Sequence, residues 1–189
     1  MNNYEYIIAS LPSPGVESFD AGAMLDFIRS QCSGQDSALI DMILDGFDGD
    51  KLSNEFYHKA IKSHSSFVRD FLGYDLKLRN TKVEYLNKAL ERQEGTDIIH
   101  LSEDEDPDFD EKPAMLSVLE QDDILARERG LDDLLWNKAD ELTRMHLFDM
   151  DVILAFVAKL KITDRWNKLD PATGREMFRN LIQEIRNTR

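Results

Sequence analysis

Six polar residues lie on the apolar faces of two predicted helices, where buried charges can pair or take part in acid–base chemistry. They are Asp75, Arg79 and Asn80 on the first helix and Lys159, Lys161 and Arg165 on or beside the second. A charge on a buried face is costly unless it is paired and hydrogen-bonded. Asp75 and Arg79 are four residues apart and can pair along one helix. We therefore predict a structural charge layer, partly buried between the two halves of the chain, in which Asp75 lies within salt-bridge reach of Arg79 or of a base from 159–165.

Two other interpretations of these charges remain open. In the first, the polar residues lie at the edge of an ordinary amphipathic helix. In the second, Asp75, Arg79, Lys159 and Arg165 line a deep enzymatic pocket with strongly shifted pKa values. The sequence contains no helical histidine pair with metal-site spacing, no nucleophile elbow, no phosphate-binding loop and no dinucleotide fingerprint. We therefore expect no catalytic, metal-binding or cofactor-binding residues, and a protein that is not an enzyme.

The two helices that must position these charges have clear sequence signals. Residues 65–92, SSFVRDFLGYDLKLRNTKVEYLNKALER, contain no proline and repeat apolar residues at helical spacing. The apolar face predicted for this helix consists of Val68, Leu72, Leu76, Val83, Leu86 and Leu90. The second helix, DVILAFVAKLKITDRW, is expected to turn Val152, Phe156, Thr163 and Trp166 inward, with Lys159 on the same face.

Other helices are expected along most of the chain. Asp20, Ser53 and Asp170 precede helical patterns as N-caps, and Pro171 follows at a first helical position. Residues 115–129 and 131–145 are predicted to form two helices separated by Gly130. The inward stripe predicted for the second of these is Leu131, Leu134, Leu135, Leu142 and Met145. The run YEYIIASL at 4–11 is either a strand or one or two helical turns.

The composition favours a soluble helical protein with protein partners. Nine glycines and five prolines in 189 residues are few for a turn-rich β fold. The formal net charge of -14 repels phosphate groups, so neither nucleic acid nor an anionic membrane surface is expected as a partner. No apolar stretch is long enough for membrane insertion. The single cysteine, Cys32, excludes a disulfide framework within the chain, and we expect a cytoplasmic protein.

An acid-rich segment with two prolines occupies residues 95–113. This composition is typical of a mobile linker that is dispensable for folding, although it could also be a docking patch for a basic partner. The linker divides an N-terminal helical lobe, 1–94, from a C-terminal helical lobe, 114–189, unless the two form one continuous domain. The predicted fold class is therefore all-α, with many helices in an elongated or two-lobed body.

Three stretches resemble proteins of V/A-type ATPases. FVRDFLGYDLKLRNTKVEYLNKALER resembles part of the C/d subunit of these ATPases (named C, or d in eukaryotes), where an acidic helix runs into an asparagine and then a basic stretch. The matching positions are Asp75, Asn80 and Arg92. The stretch VILAFVAKLKITDRWNKLDPATGREMFRNLI and the start, YEYIIASLP, are similar to a bacterial family of uncharacterised proteins encoded among V/A-type ATPase genes.

The resemblance implies a shortened C/d subunit and a non-catalytic function. In the C/d family, helical modules form a funnel that joins the rotating central stalk to the membrane rotor ring. This chain is considerably shorter than a full-length member of that family, so at least one module would be missing or reduced. The implied partners are central-stalk and rotor-ring subunits, and the implied location is cytoplasmic, peripheral to the inner membrane through the complex. The alternatives are an acidic helical adaptor that binds a basic protein through Gly95–Pro113, and an enzyme with a site between the two charged helices.

Overall fold

The computed structural model describes residues 4–11, 19–101 and 109–187, and these residues form an all-α fold without strands. The predicted fold class is therefore confirmed. The α-helices of the described residues are α1 (Tyr4–Ala9), α2 (Ala21–Gln31), α3 (Gly34–Gly46), α4 (Asn54–Ile61), α5 (Ser66–Ala89), α6 (Lys112–Leu119), α7 (Ile124–Thr143), α8 (Met150–Leu169) and α9 (Pro171–Asn187). Within the same ranges, no helix is both long enough and apolar enough to cross a membrane.

The chain divides into two compact units. The first, here called the terminal unit, consists of Met1–Asp48 and Ala139–Arg189, and the second, the middle unit, is Gly49–Lys138. The boundary falls within α7, whose last turn belongs to the terminal unit. This grouping differs from the lobes 1–94 and 114–189 expected from the sequence, because α8 packs against the N-terminal helices α1, α2 and α3 as well as against α9.

The terminal unit is built around α8. Residues 153–160 are buried without interruption, although a helix with one apolar face would leave part of this run exposed. The single inward face predicted for α8 was therefore too narrow: Ile153, Leu154 and Ala155 are buried, and Val152 is only half-buried. The sequence explains this burial, because VILAFVAKL is apolar apart from Lys159 and leaves the helix without a polar face. A helix that is apolar on all sides is buried on all sides. Asp149 caps the N-terminus of α8 by accepting a hydrogen bond from the Val152 amide.

Helices α8 and α9 approach each other closely at Gly174. A Cβ atom built on Gly174 would lie 2.3 Å from the Asn167 Cα and 2.4 Å from the Asn167 backbone nitrogen. Asn167 lies in the last turn of α8, and its backbone atoms cannot move away from such an overlap without distorting that turn. The absence of a side chain at Gly174 therefore fixes how closely α9, which begins at Pro171 as predicted, can pack on α8.

The middle unit is built around α5, which packs against α4 and α6. The first half of the predicted apolar face is buried as expected, at Val68, Leu72 and Leu76. The second half is not, since Val83 is half-buried and Leu86 and Leu90 are exposed. The buried residues there are instead Thr81 and Asn87. The face of α5 that is covered in its last turns therefore contains polar groups.

The break between α6 and α7 lies at residues 120–123, so the prediction that Gly130 separates two helices was wrong. Gly130 lies within α7, and a Cβ atom there would be 2.7 Å from the Val118 Cγ1. Its role is to allow close contact with α6. The break itself is capped by Asp123, whose carboxylate accepts a hydrogen bond from the Leu125 amide at 2.8 Å. Met145, predicted to lie on the inward stripe of this region, is instead exposed.

We predict that Gly174→Ala destabilises the protein by about 2 kcal/mol or more, because the new methyl group overlaps the Asn167 backbone. Gly73→Ala is the matched control, since a Cβ at this glycine in α5 meets no atom within 4 Å. Gly73→Ala should stabilise the protein by about 0.5–1 kcal/mol, because alanine has a higher helix propensity than glycine and lowers the conformational entropy of the unfolded chain. Urea unfolding followed by circular dichroism measures both, and equal effects of the two substitutions would contradict the close approach.

Candidate functional site

In the middle unit, the predicted pair of Asp75 and Arg79 is confirmed. The Arg79 Nε donates a hydrogen bond to the Asp75 Oδ2 at 2.7 Å. The Tyr57 hydroxyl, on α4, donates to the same oxygen at 2.8 Å. Asp75 and Tyr57 are buried, whereas the Arg79 side chain is 40% exposed. Asp75 is therefore part of the core and does not lie at the edge of an amphipathic face.

Burial and hydrogen bonding have opposite effects on the Asp75 carboxyl. Burial raises the pKa of Asp75, the Arg79 guanidinium and the Tyr57 hydroxyl lower it, and the net direction is upward. Burial, together with the neighbouring Asp75 carboxylate, raises the pKa of Tyr57, so its hydroxyl stays protonated and can donate. Burial lowers the pKa of Arg79, but the Asp75 carboxylate more than offsets this effect and the net direction is upward. The three groups together connect α4 to α5 through one carboxylate oxygen.

Asn80, the third predicted site residue on α5, binds the backbone of the segment that follows this helix. Its Nδ2 donates to the Ile99 carbonyl at 2.8 Å, and its Oδ1 accepts from the Ile99 amide at 3.2 Å. Asn87 donates to the Thr96 carbonyl at 2.7 Å, and Asn54 donates to the His100 carbonyl at 3.3 Å. These three asparagines anchor residues 96–100 to α4 and α5.

Residues 96–100, in the N-terminal part of the expected mobile linker 95–113, are therefore anchored to helices. We expect that the protein needs these residues in order to fold. Residues 102–108 of this segment lie outside the described residues. On the far side, the Lys112 Nζ is 3.1 Å from the Glu84 carboxylate and the Lys138 Nζ is 3.6 Å from the Glu111 carboxylate. Charged groups of 111–112 thus pair with α5 and α7 within the middle unit.

In the terminal unit, Lys159 is a buried ammonium with two carboxylate partners. The residue is 4% exposed, and its Nζ donates to Asp140 on α7 and to the Glu184 Oε2 at 2.8 Å on α9. The side chains of Asp140 and Glu184 are each about half exposed, at 51% and 45%. The charge is therefore buried, while both of its partners reach solvent.

The predicted charge layer is thus distributed over two clusters, one in each unit. Asp75, Arg79 and Asn80 belong to the middle unit, and Lys159 belongs to the terminal unit. Lys161 is half-buried and Arg165 is exposed, so neither is buried as Lys159 is. Sequence reasoning did not identify Tyr57, Asp140 and Glu184, which complete the clusters. Each is distant in sequence from the charge that it binds, and no local spacing signals the pairing.

A cleft of about 80 Å³ opens in the terminal unit beside Lys159. Its walls include the apolar side chains of Phe156 and Leu181, and Asp140, Lys159 and Glu184 contribute polar groups. The volume suits a few water molecules or one inserted side chain, and is well below the roughly 300 Å³ at which pockets for drug-sized ligands begin. Of the four residues considered for an enzymatic pocket, Lys159 lines this cleft. In the described ranges no group of three or more histidine, cysteine or acidic residues is arranged to hold a metal ion.

The connector between α7 and α8 also lines the cleft, through His146, Leu147 and Phe148. The His146 Nδ1 lies 2.5 Å from the Asp149 Oδ2 and 3.8 Å from the Asp151 Oδ2. The hydrogen bond to Asp149 raises the pKa of His146, partial burial opposes the shift, and both carboxylates add to it. The two carboxylates therefore stabilise the imidazolium form relative to the neutral ring, and the contact with Asp149 joins the connector to the N-cap of α8.

We predict that Arg79→Met costs more stability than Asp75→Asn. Removing Arg79 leaves the buried Asp75 without its cation, which should cost about 3 kcal/mol. Removing the Asp75 charge leaves Arg79, which is exposed enough to be hydrated, so the cost should be about 1 kcal/mol. Urea unfolding at pH 7 compares the two variants, and equal costs would contradict the asymmetric burial of this pair.

The same pair predicts a pH dependence. The pKa of Asp75 is higher in the folded state than in the unfolded chain, so the folded state binds this proton more tightly. The stabilisation from this proton is complete below the unfolded pKa of about 4 and is lost as the pH rises through the folded pKa. The stability of the wild type relative to Asp75→Asn should therefore fall as the pH increases from about 4. A constant difference between the two unfolding curves over pH would contradict this direction.

For Lys159 we predict the opposite pattern of costs. Lys159→Met removes a buried charge and leaves two carboxylates that water can reach, so stability should change by less than about 1 kcal/mol. The double substitution Asp140→Asn with Glu184→Gln strands the buried ammonium and should cost about 3 kcal/mol. Thermal and urea unfolding of the two variants decide between these expectations. A large loss in Lys159→Met alone would show that the ammonium itself is stabilising.

Comparison with models of protein families gives a match over most of the chain. The family model described as "Protein of unknown function (DUF2764)" matches residues 48–188, which include both α5 and the α8–α9 pair. No curated protein and no solved structure matches the chain. Since the matched residues are most of its length, the chain belongs to the DUF2764 family, whose function is unknown.

Proposed function

We propose that this chain is a non-catalytic subunit or accessory of a V/A-type ATPase that helps couple the central stalk to the membrane rotor ring. The observation that carries the proposal is the segment resembling the C/d subunit, which forms the central helix of the middle unit, α5, with the turn after it. All three matching positions make contacts that organise this unit. Asp75 pairs with Arg79, Asn80 binds the Ile99 backbone, and Arg92 pairs with Asp97 at 2.9 Å.

The second resembling stretch supports the same proposal. Residues 152–182 form most of α8 and α9, which are the central helix of the terminal unit and the helix packed most extensively on it. The two stretches therefore coincide with the helices that organise the two units. A protein with this function would lie in the cytoplasm, peripheral to the inner membrane through the complex, and would insert no helix of its own.

Charge favours protein partners with basic surfaces. A net charge of -14 steers basic surfaces towards the chain and disfavours nucleic acid and anionic lipid. The same charge favours the alternative function, an acidic adaptor that binds a basic protein through residues 95–113. The two functions differ in the role of that segment: the adaptor requires its acidic side chains, whereas the ATPase component does not.

The test is affinity purification of the tagged full-length chain at native expression level, from cells of its source, with the detergent-solubilised membrane fraction included. We predict that central-stalk and rotor-ring subunits co-purify, and that the chain alone hydrolyses no ATP. The matched variant replaces Glu103, Asp104, Glu105, Asp106 and Asp108 by their amides. If ATPase subunits still co-purify with this variant, the result supports the proposed function. If the variant loses all of its partners, the result supports the acidic adaptor. Absence of ATPase subunits from the wild-type sample would refute the proposal.

A further inference from the structure

We propose that the connector between α7 and α8, with the adjoining cleft, is the docking site for an amphipathic basic segment of a protein partner. An apolar side chain of the partner enters the cleft, and a neighbouring lysine or arginine pairs with Asp140 or Glu184. This proposal rests on the proposed function, because it names the surface through which a coupling component would bind its partner. We call Met145, Leu147 and Phe148 the connector surface.

The connector surface exposes large apolar side chains next to one another. Met145 is 90% exposed, Leu147 is 55% exposed and Phe148 is 43% exposed. Contiguous exposed apolar side chains mark sites of protein or membrane interaction, and methionine adapts its shape to different partners. Leu147 and Phe148 also line the cleft, so the exposed surface continues into a concave site. This combination of a surface and a pocket is suited to an inserted anchor side chain.

The charges around the cleft select a basic partner. Asp140 and Glu184 both contact the Lys159 ammonium, and both side chains are half exposed, so a base from solvent can approach their carboxylates. Asp149 and Asp151 similarly share His146. With Arg144, an exposed base on the same connector, and with Lys159 and His146, these four carboxylates face three basic groups, so acid is in slight excess. The chain as a whole carries a formal net charge of -14, which repels an anionic membrane surface and attracts a basic protein segment to the half-exposed carboxylates.

The connector is held in place before a partner binds. The His146 amide donates to the Thr143 carbonyl at 2.9 Å, so the chain turns tightly at the end of α7. The Asp149 side chain caps α8 and also contacts the His146 ring. A surface fixed in this way loses little conformational entropy on binding, which favours affinity.

The test places a photo-cross-linking residue, p-benzoylphenylalanine, at Leu147 in the full-length chain in its source cells. The matched control carries it at Leu125, which is 63% exposed and lies in the middle unit. We expect an adduct from position 147 and not from 125, with mass spectrometry locating the partner's cross-linked residue in a segment that combines apolar and basic side chains. Adding Met145→Gln, which removes the apolar contact without adding a charge that would attract a basic segment, should reduce the adduct about tenfold, as for an interface hot spot. Because Met145 is almost fully exposed, folding should be unaffected, and circular dichroism checks this.

A second variant tests the charges. Glu184→Gln leaves Asp140 to pair with Lys159, so the fold should persist while the adduct decreases. A basic segment from a V/A-type ATPase component supports both proposals, and a basic segment from another protein supports the docking site while refuting the ATPase function. No adduct at 147, equal adducts at 147 and 125, or an adduct to lipid or to an acidic segment would overturn the docking site. If ATPase subunits still co-purify in that case, the proposed function stands without it.

Discussion

The buried ammonium of Lys159 is the constraint that the rest of the terminal unit has to accommodate. It lies within the run 153–160, where α8 is covered on all sides, so the charge must find its partners without leaving the core. The carboxylates come from Asp140 on the last turn of α7 and from Glu184 on α9. Burial of Lys159 therefore requires the ends of α7 and α9 to bring a carboxylate to the central helix. The same three side chains contribute polar groups to the wall of the cleft, and both carboxylates remain about half exposed.

The middle unit buries the carboxyl group of Asp75, and the unfavourable desolvation of this group is offset in a different way. Asp75 has both of its hydrogen-bond donors inside the unit, on Tyr57 and Arg79, and asparagine side chains bind the backbone of 96–100. These polar groups organise α4, α5 and the segment after α5. Because the buried charges of both units have these structural roles, we place the proposed binding function on exposed side chains, where a partner can reach them.

Features that depend on neighbouring residues could be predicted from the sequence. The N-caps Asp20, Ser53 and Asp170 and the pair of Asp75 with Arg79 are examples, because a cap or a pair one helical turn apart is determined locally. The partners Tyr57, Asp140 and Glu184 could not be predicted, since packing alone brings them to their charges. Apolar periodicity also failed at Leu86, Leu90 and Met145, because spacing does not show whether another element covers a face. Gly130 was misread as a helix break, since glycine also permits close helix contact.

Native-state hydrogen exchange of the backbone amides of α8 tests the central claim most directly, namely that this helix is the core of the terminal unit. If α8 is buried on all sides and its charge is held by α7 and α9, amides 154–160 should exchange only when the whole unit unfolds. Their opening free energy should then equal that of global unfolding and exceed that of α9, which covers only one side of α8. Exchange of amides 154–160 through local opening, at a lower free energy than the amides of α3 or α9, would contradict the account.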